Sequence, residues 1–362
     1  MPPVAPPGLT PGSARQAGLD AGELAALVRH VDALPSRGWC GAAVVAAGRG
    51  PYLAVEHATG WALRWDAAGT PAAAPLPARV DTPFDLASLT KLVTAVVAVR
   101  RMELGAFRLD DPVAAHVPEF GAAGKDRVTV RQLLTHTSGL RPELPFHEGH
   151  GWELLWAEPP TATGPCYSDL NLLALQAVLE RTAGRTLDVL VREHVSGPLG
   201  LPGLRYGPVA GAAATEDQRR PVAKSDRGLL RGVVHDENAH ALGGVAGHAG
   251  LFATARDLAV LCRALLAGGT LGGVRLLAPE SVALLLDAPG LGFAVDQPWF
   301  MGELAGRGAA GHTGFTGTSL VLDRATDTFL VLLATTVHPL RPARPDSTPR
   351  ATAATHLARA VR

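Results

Sequence analysis

The sequence predicts an α/β (α+β) fold, in which an antiparallel sheet is flanked by N- and C-terminal helices and a mainly helical lobe is inserted. The front of the chain has the pattern of a helix and two short apolar runs, and the back has several short apolar runs and a final helix. Between them, helical patterns alternate with loops rich in Pro, Gly and His, and strand signals are scarce. Strands and helices from both ends can therefore join in one sheet that helices cover.

The front elements follow from hydrophobic periodicity. Ala21–Leu34 carries apolar residues at helical spacing and predicts an amphipathic helix. The apolar runs Gly41–Ala47 and Tyr52–His57 are separated by a turn that contains Gly and Pro, and they predict a β-hairpin. A Pro- and Ala-rich loop is expected next, before Arg79–Asp85 leads into an apolar helix that ends near Gly105.

The remaining elements are predicted in the same way. Further helices are expected at Val128–Thr135, Leu170–Thr182, Leu187–Val195, Ala255–Leu266, Pro279–Leu286 and near Arg350–Val361. Extended runs with the spacing of an antiparallel meander are expected at Leu291–Val295, His312–Gly314, Ser319–Leu322 and Phe329–Thr335. We expect residues 1–18 to form a flexible tail and residues 19–362 a single domain. Its α/β lobe would comprise residues 19–85 and 254–362, and its helical lobe residues 86–253.

The composition is that of a globular protein. The chain has 362 residues, of which 47% are hydrophobic and 18% are charged. Its formal net charge is zero, which gives no indication of a nucleic acid or an anionic membrane as partner. Three cysteines, Cys40, Cys166 and Cys262, are too few and too scattered for a disulfide scaffold or a zinc site. We expect no cofactor.

Nothing in the sequence predicts export or a membrane anchor. The first 18 residues lack the basic start and the apolar run of a secretory signal. No segment holds the roughly 18 uninterrupted apolar residues that a membrane span needs. We expect a cytoplasmic protein, with a wrongly assigned start codon as the main exception.

The stretch Phe84–Ala95 contains the strongest candidate for chemistry. Ser88 and Lys91 lie three residues apart at the start of an apolar helix, so their Cβ atoms would be about 5–6 Å apart on one face. A neutral lysine can take the proton of a serine hydroxyl and make it a nucleophile. The helix start and burial both disfavour an ammonium, so we expect Lys91 to be uncharged. The alternative is an N-cap serine followed by a solvated lysine.

Two more stretches could complete such a site. Tyr167-Ser168-Asp169 lies where a loop enters a helix, and a tyrosine there can relay a proton to a leaving group. The alternative is a core tyrosine with Asp169 as an N-cap. Gly311–Gly317 holds three glycines in seven residues at the head of a strand, which indicates a close approach to its backbone. The alternative is a Gly-rich turn between strands.

The order and approximate spacing of these motifs resemble those of the serine β-lactamase and penicillin-binding-protein families. The motifs are Ser88-Leu89-Thr90-Lys91, Tyr167-Ser168-Asp169 and His312-Thr313-Gly314. Val128–Leu140, Val234–Phe252 and His312–Leu320 strengthen the resemblance, which covers roughly residues 20–340. In detail it is similar to the class C β-lactamase-related branch, which includes DD-peptidases and esterases. It implies a β-lactamase/transpeptidase-like fold.

The resemblance also implies roles for the matching residues. Ser88 would be the nucleophile that forms an acyl-enzyme, and Lys91 would hold and shuttle its proton. Tyr167 would assist that transfer and protonate the leaving group. The backbone N–H groups of Ser88 and Phe315 would form the oxyanion hole.

In the third motif, His312 and Thr313 would contact the acyl donor, and Gly314 follows them in the strand. Its histidine stands where many lactamases have lysine, and a neutral histidine attracts a carboxylate less than an ammonium does. This weakens the lactamase assignment more than the peptidase one. Asp169 stands where many members have asparagine, and its carboxylate would raise the pKa of Lys91 and repel carboxylate-bearing substrates.

A polar cluster is expected at His235, Asp236, Glu237 and His248. A hydrogen-bonded loop is the favoured interpretation, because the spacing matches no defined metal site. A divalent metal site and a lid that lines the cleft are the alternatives. We expect no metal.

The leading functional hypothesis is a serine hydrolase that forms an acyl-enzyme and hydrolyses esters of small acids. The alternative is a DD-carboxypeptidase or β-lactamase that acts on peptide or β-lactam amides, favoured by the third motif and disfavoured by the expected location. A catalytically silent binding protein on the same fold is a third hypothesis, against which the intact Ser88 and Lys91 argue. The partner of an active enzyme would be a small-molecule ester or amide.

Overall fold

The computed structural model describes residues 8–149, 151–221 and 223–361. Its strands are β1 (Thr10–Pro11), β2 (Ala42–Arg49), β3 (Tyr52–Ala67), β4 (Thr70–Pro77), β5 (Phe84–Asp85), β6 (Arg205–Tyr206), β7 (Ala214–Gln218), β8 (Gly228–Arg231), β9 (Leu251–Ala253), β10 (Thr270–Leu271), β11 (Val274–Arg275), β12 (Ala294–Val295), β13 (Ala310–Thr313), β14 (Ser319–Asp323) and β15 (Thr328–Ala334).

The α-helices are α1 (Ala21–Asp32), α2 (Thr90–Glu103), α3 (Val130–Leu134), α4 (Glu153–Ala157), α5 (Asp169–Ala183), α6 (Leu187–Val191), α7 (Glu237–Ala241), α8 (Ala255–Leu266), α9 (Pro279–Leu286), α10 (Pro298–Met301) and α11 (Thr348–Ala360). Short 3₁₀ turns lie at Ala87–Leu89, Val113–Ala115, Pro118–Gly124, Phe146–Glu148 and Gly302–Leu304, and a π-helical turn at Arg192–Ser196. In the described ranges, no helix is both long enough and apolar enough to cross a bilayer.

The main sheet joins strands from the two ends of the chain. Its order is β1-β3-β2-β15-β14-β13-β12, with β4 paired to β3. All its pairs are antiparallel except the short pair β1–β3. The central pair, β2 with β15, brings Val45 opposite Leu332. The predicted fold class is therefore confirmed.

Small apolar residues fill the centre of the sheet because helices cover both of its faces. In β2, Val45 and its odd-numbered neighbours pack with Leu27 of α1 and Leu357 of α11. Val44 and its even-numbered neighbours face the other core, which contains α2 and α8. A strand buried on both faces has no need of the polar alternation that marks a half-exposed strand.

Most predicted elements are present with small shifts of their ends. The helices α8 and α9 begin and end where the sequence predicts them. The predicted hairpin is the pair β2–β3, and three of the predicted meander strands are β13, β14 and β15. The division into an α/β lobe and a helical lobe stays a prediction.

We expected a flexible tail at residues 1–18, and this expectation is wrong for residues 8–18. Residues 1–7 lie outside the described residues. Thr10 pairs with Tyr52, and its N–H donates to the Pro51 carbonyl over 2.7 Å. Leu9 and Ala17 are buried. This segment packs because the outer edge of β3 offers free backbone groups, and its two apolar side chains lie against the cores.

The Pro- and Ala-rich loop expected after the hairpin is replaced by a second hairpin, β3–β4. The strand β4 has the sequence TPAAAPLP, which lacks polar–apolar alternation, and its side chains are almost all exposed. Its pairing with β3 contains several register shifts. Pro is tolerated in strands at such edges, where its missing N–H breaks no buried ladder.

Candidate active site

Ser88 lies in the 3₁₀ turn between β5 and α2, on a backbone held by Asp85. Asp85 is buried, and its Oδ1 accepts from the Ala87 N–H over 2.8 Å. Its Oδ2 accepts from the His235 N–H over 2.7 Å. Ala87 has a φ of +46°, a left-handed conformation that non-glycine residues seldom adopt. The turn is thus fixed in an uncommon conformation next to a partly exposed serine.

Lys91 lies one turn into α2 and is completely buried. Its Nζ donates to Ser88 Oγ over 2.8 Å and lies 2.8 Å from Asp169 Oδ1. It also donates to the His248 carbonyl over 3.4 Å. The spacing of Ser88 and Lys91 in the sequence thus gives the expected contact, and Asp169 joins it from the start of α5.

The charge of this lysine differs from the expectation. Burial alone would lower the pKa of Lys91, but the Asp169 carboxylate, with a smaller effect from Tyr167, raises it above its ordinary value. Burial would likewise raise the pKa of Asp169, and the Lys91 ammonium lowers it instead. The expectation of an uncharged Lys91 is therefore wrong, because a carboxylate at 2.8 Å outweighs desolvation.

Tyr167 stands at the mouth of the site with 47% of its surface exposed. The centre of its ring is 4.9 Å from Lys91 Nζ. The rings of His136 and His312 lie at 4.8 and 5.6 Å from it. Together with Gly290 and neighbouring residues, these three rings line a cavity of about 170 Å³.

Both histidines beside Tyr167 are neutral at pH 7. Burial and the nearby Lys91 charge lower the pKa of His312 to about 3 and that of His136 to about 4. His136 Nδ1 accepts from the Ser168 N–H over 3.1 Å, which places its proton on Nε2. His136 has a left-handed φ of +55°, and its ring lies against that of Tyr167.

The end of β13 is fastened to the backbone just before Ser88. Thr316 Oγ1 donates to the Asp85 carbonyl over 2.8 Å, and Thr318 Oγ1 donates to the Leu86 carbonyl over 3.0 Å. A Cβ on Gly314 would lie 2.5 Å from that Leu86 carbonyl oxygen. The glycine predicted to allow a close approach thus does so, and Phe315 follows it with an exposed ring.

The polar cluster expected at four residues separates into two. His248 Nε2 lies 3.0 Å from Asp236 Oδ1, and one ligand-type atom from each of Asp169, Asp236 and His248 lies within 4.8 Å of the others. The Lys91 ammonium already neutralises Asp169, which disfavours a divalent cation there.

The other two members, His235 and Glu237, turn toward Glu216 and Arg341. His235 Nε2 lies 2.8 Å from Glu216 Oε2, and Arg341 Nη2 lies 2.8 Å from Glu237 Oε1. Sequence reasoning missed Glu216 and Arg341, because neither belongs to a motif and both are distant in sequence from Ser88.

Comparison with known proteins identifies the family of the chain. The Beta-lactamase family profile matches residues 26–355. A protein named putative D-alanyl-D-alanine carboxypeptidase from Escherichia coli K12 is 32% identical over 310 residues, which are 73% of this chain and 71% of that protein.

Two solved structures share the fold. EstCE1, described as a hydrolase with promiscuous acyltransferase activity, superposes with a TM-score of 0.73 at 23% identity, over 93% of this chain and 99% of that one. A class C β-lactamase from Rhodobacter sphaeroides superposes with a TM-score of 0.70 at 20% identity, over 92% and 98%. With the profile match over most of its length, the chain belongs to the Beta-lactamase family and is a serine hydrolase.

Proposed function

We propose that the chain hydrolyses small esters through an acyl-enzyme at Ser88. The observation that supports this most directly is the buried Lys91 Nζ, 2.8 Å from both Ser88 Oγ and Asp169 Oδ1. A partly exposed hydroxyl held next to a buried proton carrier is the arrangement that nucleophilic catalysis needs.

The Lys91–Asp169 pair acts as the base in this proposal. Because Lys91 is charged at rest, it first passes a proton to Asp169 and then takes the Ser88 proton as Oγ bonds to the carbonyl carbon. The Tyr167 hydroxyl gives a proton to the departing alkoxide and is reprotonated from Lys91. Water then gives a proton to Lys91 as its oxygen attacks the acyl carbon, and the bond to Ser88 Oγ breaks as Oγ takes that proton. The acid leaves, and Asp169 returns its proton to Lys91.

The oxyanion would be bound by the backbone N–H groups of Ser88 and Phe315. In the described part of the chain, the Phe315 N–H has no hydrogen-bond acceptor of its own, so it is free for a ligand. Thr313 and the neutral His312, one and two residues before Gly314, would contact the acyl donor.

Gly314→Ala is expected to lower kcat by about 10²-fold, as the loss of an oxyanion-hole donor does. The new Cβ would lie 2.1 Å from Thr318 Oγ1 and 2.5 Å from the Leu86 carbonyl oxygen, so the strand end must move away from Ser88. Steady-state kinetics with an aryl ester measure the effect. Gly164→Ala is the control, because a Cβ there meets nothing within 4 Å. Equal kcat values for the two variants would contradict the role given to this strand.

An ester of an uncharged acid fits the charges of the site best. His312 is neutral at pH 7, since burial lowers its pKa to about 3. The Lys91 ammonium is buried and already paired with Asp169, while the carboxylate of the neighbouring Asp236 is partly exposed. A carboxylate on the acyl side would therefore meet the negative charge of Asp236 without an unpaired cation beside it.

A DD-carboxypeptidase is the second candidate. The Escherichia coli relative carries that name, and one buried cation of this chain favours it. The Arg350 guanidinium donates to the Gly314 carbonyl over 3.1 Å, and its buried Nε has no partner among the described residues. It lines a cavity of about 900 Å³ that also borders Phe315, where a substrate carboxylate could pair with it.

Labelling and turnover together test the proposal. The purified protein and Ser88→Ala are treated with a fluorophosphonate probe and a fluorescent penicillin. Both are then assayed with a short-chain aryl ester, a D-alanyl-D-alanine peptide and a cephalosporin. We expect Ser88-dependent fluorophosphonate labelling and fastest turnover of the ester. Faster turnover of the peptide, with penicillin labelling, would establish the second candidate instead. Labelling that survives Ser88→Ala would refute both.

A further inference from the structure

The side chain of Phe315 rests on two groups that the proposed chemistry does not use. Its ring lies 5.5 Å from the ring of His235, close to a stacked arrangement. The guanidinium carbon of Arg341 lies 5.5 Å from the centre of the same ring. Such contacts restrict the ring although half of its surface is exposed.

One buried carboxylate holds both of these groups. Glu216, in β7, is fully buried, and its Oε1 accepts from Arg341 Nε over 2.6 Å. Its Oε2 accepts from Arg341 Nη2 over 2.6 Å and from His235 Nε2 over 2.8 Å. A two-point pair with a guanidinium fixes direction as well as distance.

The same network reaches the other half of the oxyanion hole. The His235 N–H donates to Asp85, whose second oxygen accepts from the Ala87 N–H just before Ser88. The two N–H groups assigned to the oxyanion therefore lie at the two ends of one chain of contacts. His235 contacts both Asp85 and Phe315, and Glu216 holds His235 and the second support, Arg341.

We infer that Glu216 is a positioning residue that fixes the oxyanion hole from behind. It holds His235 and Arg341 against Phe315, and through His235 it also braces the turn that carries Ser88. This inference rests on the proposed function. It predicts that replacing Glu216 weakens the binding of transition states and tetrahedral adducts, which carry negative charge on the substrate oxygen, and leaves substrate binding almost unchanged. The reason is that only the charged oxygen uses the two N–H groups fully.

The test compares Glu216→Gln with the wild type in aryl-ester kinetics and in binding of an arylboronic acid, which forms a tetrahedral anion on a reactive serine. We expect kcat and boronate affinity to fall together by about 10- to 100-fold, with KM changed by no more than about twofold. If Glu216 had a purely structural role, boronate affinity and KM would worsen together. Thermal melting shows whether the variant is folded.

Glu56→Gln is the matched control, because Glu56 makes a two-point pair with Arg256 away from the site. If Glu216→Gln does not fold, Arg341→Lys decides, since lysine keeps the charge but cannot bind both oxygens of Glu216 in one plane. A smaller loss with the same pattern supports the inference. Wild-type boronate affinity in a folded Glu216→Gln or Arg341→Lys protein overturns it. A wild-type protein inert to the ester, the boronate and fluorophosphonate would refute the proposed function instead.

Discussion

Lys91→Met is expected to lower kcat for an aryl ester by about 10⁴-fold, the upper range for loss of general acid–base catalysis. Methionine fills much of the same buried space in α2 but can neither hold nor pass a proton. The Ser88 hydroxyl would then have no base at 2.8 Å. Steady-state kinetics and fluorophosphonate labelling rates measure the loss, which should appear in kcat rather than in KM.

Lys125→Met is the control for this substitution. Lys125 is also completely buried, and its Nζ donates to the Trp156 carbonyl over 2.9 Å and to the Glu158 carbonyl. We expect that variant to lose stability and to keep its kcat, because those carbonyls lie outside the site. A Lys91→Met protein that is folded and hydrolyses the ester at the wild-type rate would eliminate the proposed mechanism.

Asp169→Asn is expected to make the rate strongly dependent on pH. In the wild type, Asp169 raises the pKa of Lys91 while its own pKa is lowered, so the pair stays charged and its state does not change between about pH 5 and pH 9. Without the carboxylate, burial is the main influence and lowers the pKa of Lys91 below its ordinary value. The neutral amine then becomes the base, and its fraction rises up to about tenfold per pH unit below that pKa.

The measurement is a profile of kcat/KM against pH for both proteins. The wild-type profile should be flat over the range in which the Asp169→Asn profile climbs with a slope near one. The sign follows from the active form, which is the charged pair in the wild type and the neutral lysine in the variant. Parallel profiles would mean that Asp169 does not set the charge of Lys91.

The fold was largely predictable because its signals are local. The apolar spacing of α1, α8 and α9 and the Gly-containing turn before β3 each determine an element within a few residues. The strand β4 and the packed residues 8–18 were not predictable in this way. The strand β4 and Thr10–Pro11 are held by backbone pairing to β3, which requires no hydrophobic pattern in the paired segment. The rest of residues 8–18 contributes only two buried apolar side chains, Leu9 and Ala17.

The motif residues of the site were predictable from the sequence, but the charge state of Lys91 was not. The spacing of Ser88 and Lys91 gives their contact directly. The carboxylate of Asp169 was recognised as a group that would raise the pKa of Lys91, but only the 2.8 Å distance shows that it outweighs burial. No sequence pattern pointed to Glu216 or Arg341, since the ion pair between them depends on the tertiary fold alone.

The pairing of β2 with β15 governs when the chain can fold during synthesis. Val45 finds its partner Leu332 only after all the residues between them have left the ribosome. The hairpin β2–β3 can form early from near neighbours, whereas the apolar residues of β2 and α2 remain without their cover until the C-terminal strands are made. We therefore expect nascent chains to expose the unpaired, apolar β2 and to depend on chaperones until β15 has been synthesised.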